Sequence, residues 1–324
     1  MDKPVLKVEN LNVTFETKYG HAVAVNDISF DLKKGEKLGL VGESGSGKSV
    51  TAKSIIRLLS SPPAKIKGKI YLGDKNILEL SEKEMCSYRG NRIAMIFQEP
   101  MVCLNPLFTI GHQLSEAISS HQKCSKKQCY QEVVEMLKTV GIPSPEERYK
   151  QYPFELSGGM RQRIMIAMAL LCSPEVLIAD EPTTALDVTI QAQIMDLLNE
   201  LNKDLGVSII MITHDLGVIA EMADTVAVMY AGNIVEKAPV RSIFNDPLHP
   251  YTQGLLKSIP TMKNAEGDME TIEGNVPSIY NLPKGCAFHN RCKFKEEICT
   301  QEVAPIVVDG ERSIKCWKYT DKWR

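Results

Sequence analysis

The sequence predicts an α/β fold, and two observations carry that prediction. Strand-like runs alternate with helical patterns along most of the chain, and a glycine-rich stretch falls at a strand-to-helix junction. With 324 residues, at about 150 to a domain, the chain has room for roughly two domains and a substantial core.

The elements follow in order. Leu6 to Phe15, Ile28 to Leu32 and Lys37 to Val41 read as strands, and Ser49 to Leu59 as a helix. Ser81-Glu82-Lys83-Glu84 is a capping box, and Ser125-Lys126-Lys127-Gln128 is its Gln version, so helices begin at both. After Ser125, Val133, Met136, Leu137 and Val140 form one apolar face, with Gly141 as the stop and Pro143 beyond it. A helical insert is therefore expected over about 102–172, most clearly from Ile110 to Val140. A further helix begins near Ser157, Val176 to Ala179 reads as a strand, and Ile190, Ile194, Leu197, Leu198, Leu201 and Leu205 stripe a helix ended by Gly206. Val207 to Ile212 is apolar enough for a buried parallel strand, and Val226 to Met229 leads into a hairpin at Ala231-Gly232-Asn233. The first domain is expected to span 1–240. From Ser242 onward Pro247, Pro250, Pro260, Pro277 and Pro283 interrupt every period, so 241–324 reads as a separate, loop-rich module.

Composition sets limits on function. The chain is 44% hydrophobic and 24% charged, which excludes wholesale disorder. Lys and Arg total 38 against 40 Asp and Glu, net −2, so no basic footprint for nucleic acid exists. The richest apolar stretch, Ile164 to Cys172, is far short of the ~20 residues a membrane span needs. Met1-Asp2-Lys3-Pro4 lacks the basic and apolar regions of a secretory signal, which predicts a cytosolic location. Of the nine cysteines, Cys86, Cys103, Cys124, Cys129 and Cys172 have no framework spacing and read as reduced thiols.

The chemistry is concentrated in a few motifs. Gly42-Glu43-Ser44-Gly45-Ser46-Gly47-Lys48-Ser49, between a strand and a helix that continues with Val50, matches a phosphate-binding loop. Its glycines let backbone N–H groups turn inward at a helix N-terminus, where the dipole favours an anion. Lys48 is then placed for the β- and γ-phosphates of a nucleotide, and Ser49 for Mg²⁺. Val176 to Ala179 ends in Asp180-Glu181, carboxylates too costly to bury without a partner such as Mg²⁺. Asp180 suits the ion, and Glu181 suits a general base that polarises water.

Leu156-Ser157-Gly158-Gly159-Met160-Arg161-Gln162 opens an amphipathic helix in the same chain. With it the sequence resembles the ATP-binding cassette (ABC) ATPases, a P-loop NTPase family in which this signature contacts ATP held by the opposite subunit. The resemblance extends to Gln98 in the Q-loop, Ala185-Leu186-Asp187 in the D-loop and His214 in Thr213-His214-Asp215. It implies that Gln98 senses Mg²⁺ and the membrane partner, that Ser157, Gly158, Gly159 and Met160 face the partner's ATP, and that Asp187 organises the dimer interface. It also implies that His214 contacts the γ-phosphate and that an aromatic stacks on adenine. Phe15 is preferred for the aromatic, with Tyr19 competing.

Gln98-Glu99-Pro100-Met101, Leu104-Asn105-Pro106 and Asp246-Pro247-Leu248-His249-Pro250-Tyr251-Thr252 look like those of oligopeptide/dipeptide importer ATPases. That resemblance implies an ATP-hydrolysing subunit on the cytoplasmic face of the membrane. Its partners would be two permease subunits, a second cassette and, indirectly, an extracellular solute-binding protein. Met160 replaces the commoner Gln and favours an unlike second cassette, with an identical one still open. In the tail, Cys286, Cys292, Cys299 and Cys316 have gaps wider than structural zinc usually shows. Resemblance implies that these four hold a [4Fe–4S] cluster, with zinc as the alternative. Import of nickel or another small solute is the alternative cargo. A soluble ABC ATPase acting on nucleic acid is disfavoured, because long coiled-coil insertions, tandem cassettes and basic excess are all missing.

Overall fold

A computed structural model describes residues 3–99, 103–184, 187–258 and 272–323. Met1, Asp2, Pro100, Met101, Ala185, Leu186 and Pro260 lie outside them.

Two sheets organise the chain. The first is a four-stranded antiparallel sheet, ordered β2-β1-β4-β5, from β1 (Leu6–Thr17), β2 (Gly20–Leu32), β4 (Ala64–Leu72) and β5 (Lys75–Asn76). The second has eight strands: β3 (Lys37–Val41), β6 (Ile93–Ile96), β7 (Val176–Asp180), β8 (Ser208–Ile212), β9 (Thr225–Tyr230), β10 (Asn233–Pro239), β11 (Ile306–Asp309) and β12 (Arg312–Lys315). Its order is β11-β12-β10-β9-β3-β8-β7-β6, and the run β9-β3-β8-β7-β6 is parallel throughout.

That parallel run is apolar on both faces, as a doubly covered sheet requires. Leu177, Ala179, Ile209 and Met211 point into a core shared with the helices. Their neighbours Val176, Ile178, Ile210 and Ile212 point into a second core shared with the antiparallel sheet. The alternation is the period-two pattern of a strand, here with both faces buried.

The helices match the capping signals. Helix α1 (Lys48–Ile55) follows β3 directly. Helix α2 (Glu82–Tyr88) begins with the reciprocal Ser81–Glu84 box. Between β6 and β7 come α3 (Ile110–Ser119), α4 (Lys126–Thr139), α5 (Pro145–Arg148) and α6 (Gly158–Leu170). Ser125 and Gln128 form the box that starts α4, and Ser157 caps α6. Helix α7 (Val188–Leu205) buries Ile194, Leu197, Leu198 and Leu201, whereas Leu205, at its last turn, is exposed. Further α-helices among the described residues are α8 (Leu216–Met222), α9 (Val240–Asn245), α10 (Pro250–Lys257) and α11 (Glu297–Gln301).

The tail and one cysteine pair complete the fold. The tail is loop-rich, and it is stitched to both sheets. Glu236 and Lys237 of β10 pair with Ile314 and Ser313 of β12, and Val23 of β2 donates to the Ile279 carbonyl at 2.8 Å. Cys124 and Cys129, read as reduced thiols, are joined as a disulfide with their Cα atoms 5.9 Å apart. The turn at Ser125 that caps α4 folds Cys124 back over the helix's first turn, a proximity that spacing alone does not reveal. Among the described residues, no helix is long and apolar enough to cross a membrane.

Candidate functional site: a nucleotide pocket at the strand ends

Four loops meet where the parallel strands end. The glycine-rich loop leaves β3, Gln98 follows β6, Asp180 closes β7 with Glu181 next, and His214 follows β8. Because β3, β8, β7 and β6 are consecutive neighbours, residues far apart in sequence share one crevice at their carboxyl ends, where α/β sheets bind ligands.

The loop's shape depends on glycine at two positions. Gly47 has φ of +103°, and a Cβ there would stand 2.6 Å from the Ala24 carbonyl oxygen. Gly42 has φ of +151°, and its Cβ would stand 2.1 Å from the Met229 carbonyl oxygen. Neighbouring strands thus press directly on the loop backbone. Gly47→Ala is expected to weaken ATP binding about 10- to 100-fold, the equivalent of ~1–3 kcal/mol of left-handed strain. Calorimetric titration with MgATP checks this, and an unchanged affinity would show that the loop adapts.

Inside the loop the buried Lys48 donates from Nζ to the carbonyls of Gly42 (2.7 Å) and Glu43 (3.0 Å) and to Ser46 Oγ (3.3 Å). Burial holds its pKa below the ordinary lysine value, opposed by the charges of Glu181, Asp180 and Glu43. Across the crevice, Ser49 Oγ donates to Asp180 Oδ1 at 2.9 Å. Burial pushes the Asp180 carboxyl up, while the Ser49 hydrogen bond pulls the other way. A divalent cation beside Ser49 and Asp180 would offset that desolvation. Ser44 and Gly45 are exposed at the loop tip, and Val50 packs partly into the second core.

Glu181 is the hub of the other side. Gln98 Nε2 and Thr184 Oγ1 each donate to its Oε2 at 2.9 Å, and His214 Nδ1 lies 3.2 Å from its Oε1. Its backbone is left-handed, with φ of 47°, a strained state for a non-glycine residue. The Glu181 N–H bond to the Ile212 carbonyl at 2.8 Å holds it there. Both carboxylate oxygens are thereby oriented.

The Ser157 hydroxyl accepts from the Met160 N–H at 3.3 Å, and Asp187 Oδ1 accepts from the Ile190 N–H at 2.9 Å. The two caps are adjacent, since a Cβ on Gly159 would meet Ile190 at 3.1 Å. Ser157, Gly158 and Asp187 are exposed, and Gly159 and Met160 half-buried. Buried Gln162 ties this helix to the site by donating to the Pro182 carbonyl. Phe15 is half-buried and pairs with Ala22, two residues from the Ala24 that touches Gly47, whereas Tyr19 lies 74% exposed in the β1–β2 turn.

A family model described as ABC transporter matches residues 25–184, and one described as oligopeptide/dipeptide transporter, C-terminal region, matches residues 235–299. The dipeptide transport ATP-binding protein DppD of Bacillus subtilis (strain 168) is 51% identical over 315 residues, covering 97% of this chain and 94% of that protein. This chain belongs to the ABC transporter ATP-binding family. The oligopeptide transport ATP-binding protein OppD of Salmonella typhimurium is 52% identical over 314 residues, covering 97% and 93%. Among solved structures, the ATP-binding cassette MJ0796, dimeric in a post-hydrolysis state with ADP and Pi, superposes with a TM-score of 0.65 at 28% identity. It covers 73% of this chain and 99% of that one.

Sequence reasoning missed three residues of this cassette's site. Thr184 lies three residues after Glu181, so a local turn was the available signal. Arg291 and Tyr251 reach the loop residue Glu43 from the tail, and nothing local announces them. Cys286, Cys292, Cys299 and Cys316 are not part of the crevice, but all four line one small cavity in the tail with Phe288 and Trp317. Burial is the main cause that raises the Cys286 thiol to about 11 and the Cys316 thiol to about 12, and the other cluster cysteines add to both. Among the described residues, no three His, Cys, Asp or Glu groups stand close enough to hold a single metal ion. The donor set itself, four sulfurs on one cavity, has the chemistry of a Cys₄ cluster site.

Proposed function

We propose that this chain hydrolyses ATP to power uptake of di- and oligopeptides through an ABC importer, seated on the cytoplasmic face of the membrane against two permease subunits. The carrying observation is the crevice at the ends of β3, β8, β7 and β6, in a chain similar over 97% of its length to a dipeptide transport ATP-binding protein.

Each residue has a role in this reading. The loop from Gly42 to Ser49 wraps the phosphates with its N–H groups, and Lys48 exchanges its carbonyl contacts for β- and γ-oxygens. Ser49, Asp180 and Gln98 would hold Mg²⁺, which would supply charge neutralisation for the phosphates. Glu181 accepts a proton from the attacking water, oriented by Gln98, Thr184 and His214. His214 contacts the γ-phosphate once it turns from Glu181, and Phe15 stacks on adenine. Ser157, Gly158 and Asp187, exposed at two adjacent helix starts, with Gly159 and Met160 half-buried beside them, serve ATP on a second cassette.

ATPase activity per chain should therefore rise with chain concentration, or on adding an unlike cassette, because each site needs another chain's Ser157. Activity per chain independent of both would contradict the two-cassette reading.

The four tail cysteines hold a [4Fe–4S] cluster in this proposal, supported by their shared cavity. Anaerobically purified protein is expected to contain iron and sulfide, about four of each, with absorption near ~400 nm. Zinc in place of iron, or no metal, would overturn the cluster assignment and leave the nucleotide site standing.

A further inference from the structure

Among the described residues, the tail reaches the nucleotide loop at Glu43. Arg291, only 5% exposed at its side chain, donates from Nη1 to Glu43 Oε2 at 2.7 Å and from Nη2 to Glu43 Oε1 at 3.0 Å. This is a bidentate pair, the geometry that guanidinium and carboxylate favour. The remaining donors are also used, Nε on the Glu273 carbonyl at 3.0 Å and Nη2 on the Ile272 carbonyl at 3.1 Å. Glu43 is gripped a second time, because its backbone N–H donates to the hydroxyl of fully buried Tyr251 at 2.9 Å. Its carbonyl accepts from Lys48 at 3.0 Å.

The gripping residues are themselves locked in place. The Tyr230, Tyr251 and Phe288 rings pack together with centroids 4.6 to 5.4 Å apart, and the Arg291 guanidinium lies 5.7 Å from the Tyr230 ring. Phe288 and Arg291 sit on one short loop between Cys286 and Cys292. That loop is closed by hydrogen bonds from the His289 N–H to the Cys286 carbonyl and from the Arg291 N–H to the Phe288 carbonyl.

We propose that Arg291 and Tyr251 are positioning residues for ATP: the tail pins Glu43 and cancels its charge, so that the loop amides face the phosphates. The physical need is plain. Glu43 lies inside the phosphate-binding loop, and an uncompensated carboxylate there repels the polyanion that the loop must bind. Arg291 removes that repulsion and fixes the side chain away from the cradle. The tail module is thus part of the nucleotide site, a role that rests on the ATP-binding reading above.

The test compares the full chain with its Arg291→Gln, Glu43→Gln, Arg291→Gln/Glu43→Gln and Tyr251→Phe variants. MgATP affinity is read by calorimetry, and KM and kcat by ATP hydrolysis. Arg291→Gln is expected to weaken MgATP binding and raise KM on the order of tenfold, with kcat at saturating ATP changed less than twofold. Adding Glu43→Gln should restore most of that affinity, because the repulsive charge is gone, and a purely structural role for Arg291 would give no such rescue. Tyr251→Phe, which deletes one hydroxyl from an intact core, should raise KM about threefold. It keeps the test open if Arg291→Gln does not fold.

Unchanged affinity in Arg291→Gln and Tyr251→Phe, or a double variant no better than Arg291→Gln alone, would overturn the clamp while leaving the nucleotide reading intact. An unaltered chain that binds no MgATP would overturn both.

Discussion

Replacing Glu181 by Gln is expected to lower kcat for ATP hydrolysis roughly 10²- to 10⁴-fold, while MgATP still binds and holds two cassettes together. The geometry explains why the loss is specific. The new amide oxygen can occupy the Oε2 place, accepting from Gln98 and Thr184, and its NH₂ can face His214 Nδ1. Shape and contacts persist, but the carboxylate lone pair that the proposed mechanism uses to take the proton of the attacking water is lost. Turnover assays show the first effect, and light scattering with and without MgATP shows the second as a gain in mass. A variant with unchanged kcat would move the base to another residue.

Lys48→Ala should act at an earlier step. Lys48 is buried at the centre of the loop, already desolvated, with its charge bonded to two carbonyls and one hydroxyl. The cost of burying that ammonium is met in the folded chain, so its attraction for the phosphates is only weakly screened. Removing it leaves the anion facing a loop with amides alone. MgATP affinity is expected to fall on the order of 10²- to 10³-fold. Calorimetry with MgATP reads this directly, and a loss below about threefold would mean that the amides bind the phosphates without the lysine.

What the sequence revealed follows the range of the interactions. Lys48, Ser49, Asp180 and Glu181 stand out because their chemistry is fixed by a few consecutive residues and a strand end. Ser81, Ser125 and Ser157 predict helix starts for the same reason, since a cap depends on residues only three apart. The parallel strands are legible because burial on both faces leaves a run of apolar residues. Strands β11 and β12 escaped notice because they are four residues each, and Ile306 and Val308 remain exposed at the sheet edge. The grip of Arg291 on Glu43 spans 248 positions, and no periodicity or spacing encodes a contact of that range. The Cys124–Cys129 bond was missed for a milder reason, because five-residue spacing closes only through the turn at the cap.

The most direct measurement is uptake of labelled dipeptide by cells in which the Lys48→Ala chain replaces the unaltered one at equal abundance, with labelled nickel as a parallel cargo. The account predicts that dipeptide uptake falls to background and nickel uptake does not change. Dipeptide uptake that continues at its original rate with a chain whose hold on ATP is so weakened would contradict the claim that this protein powers peptide import.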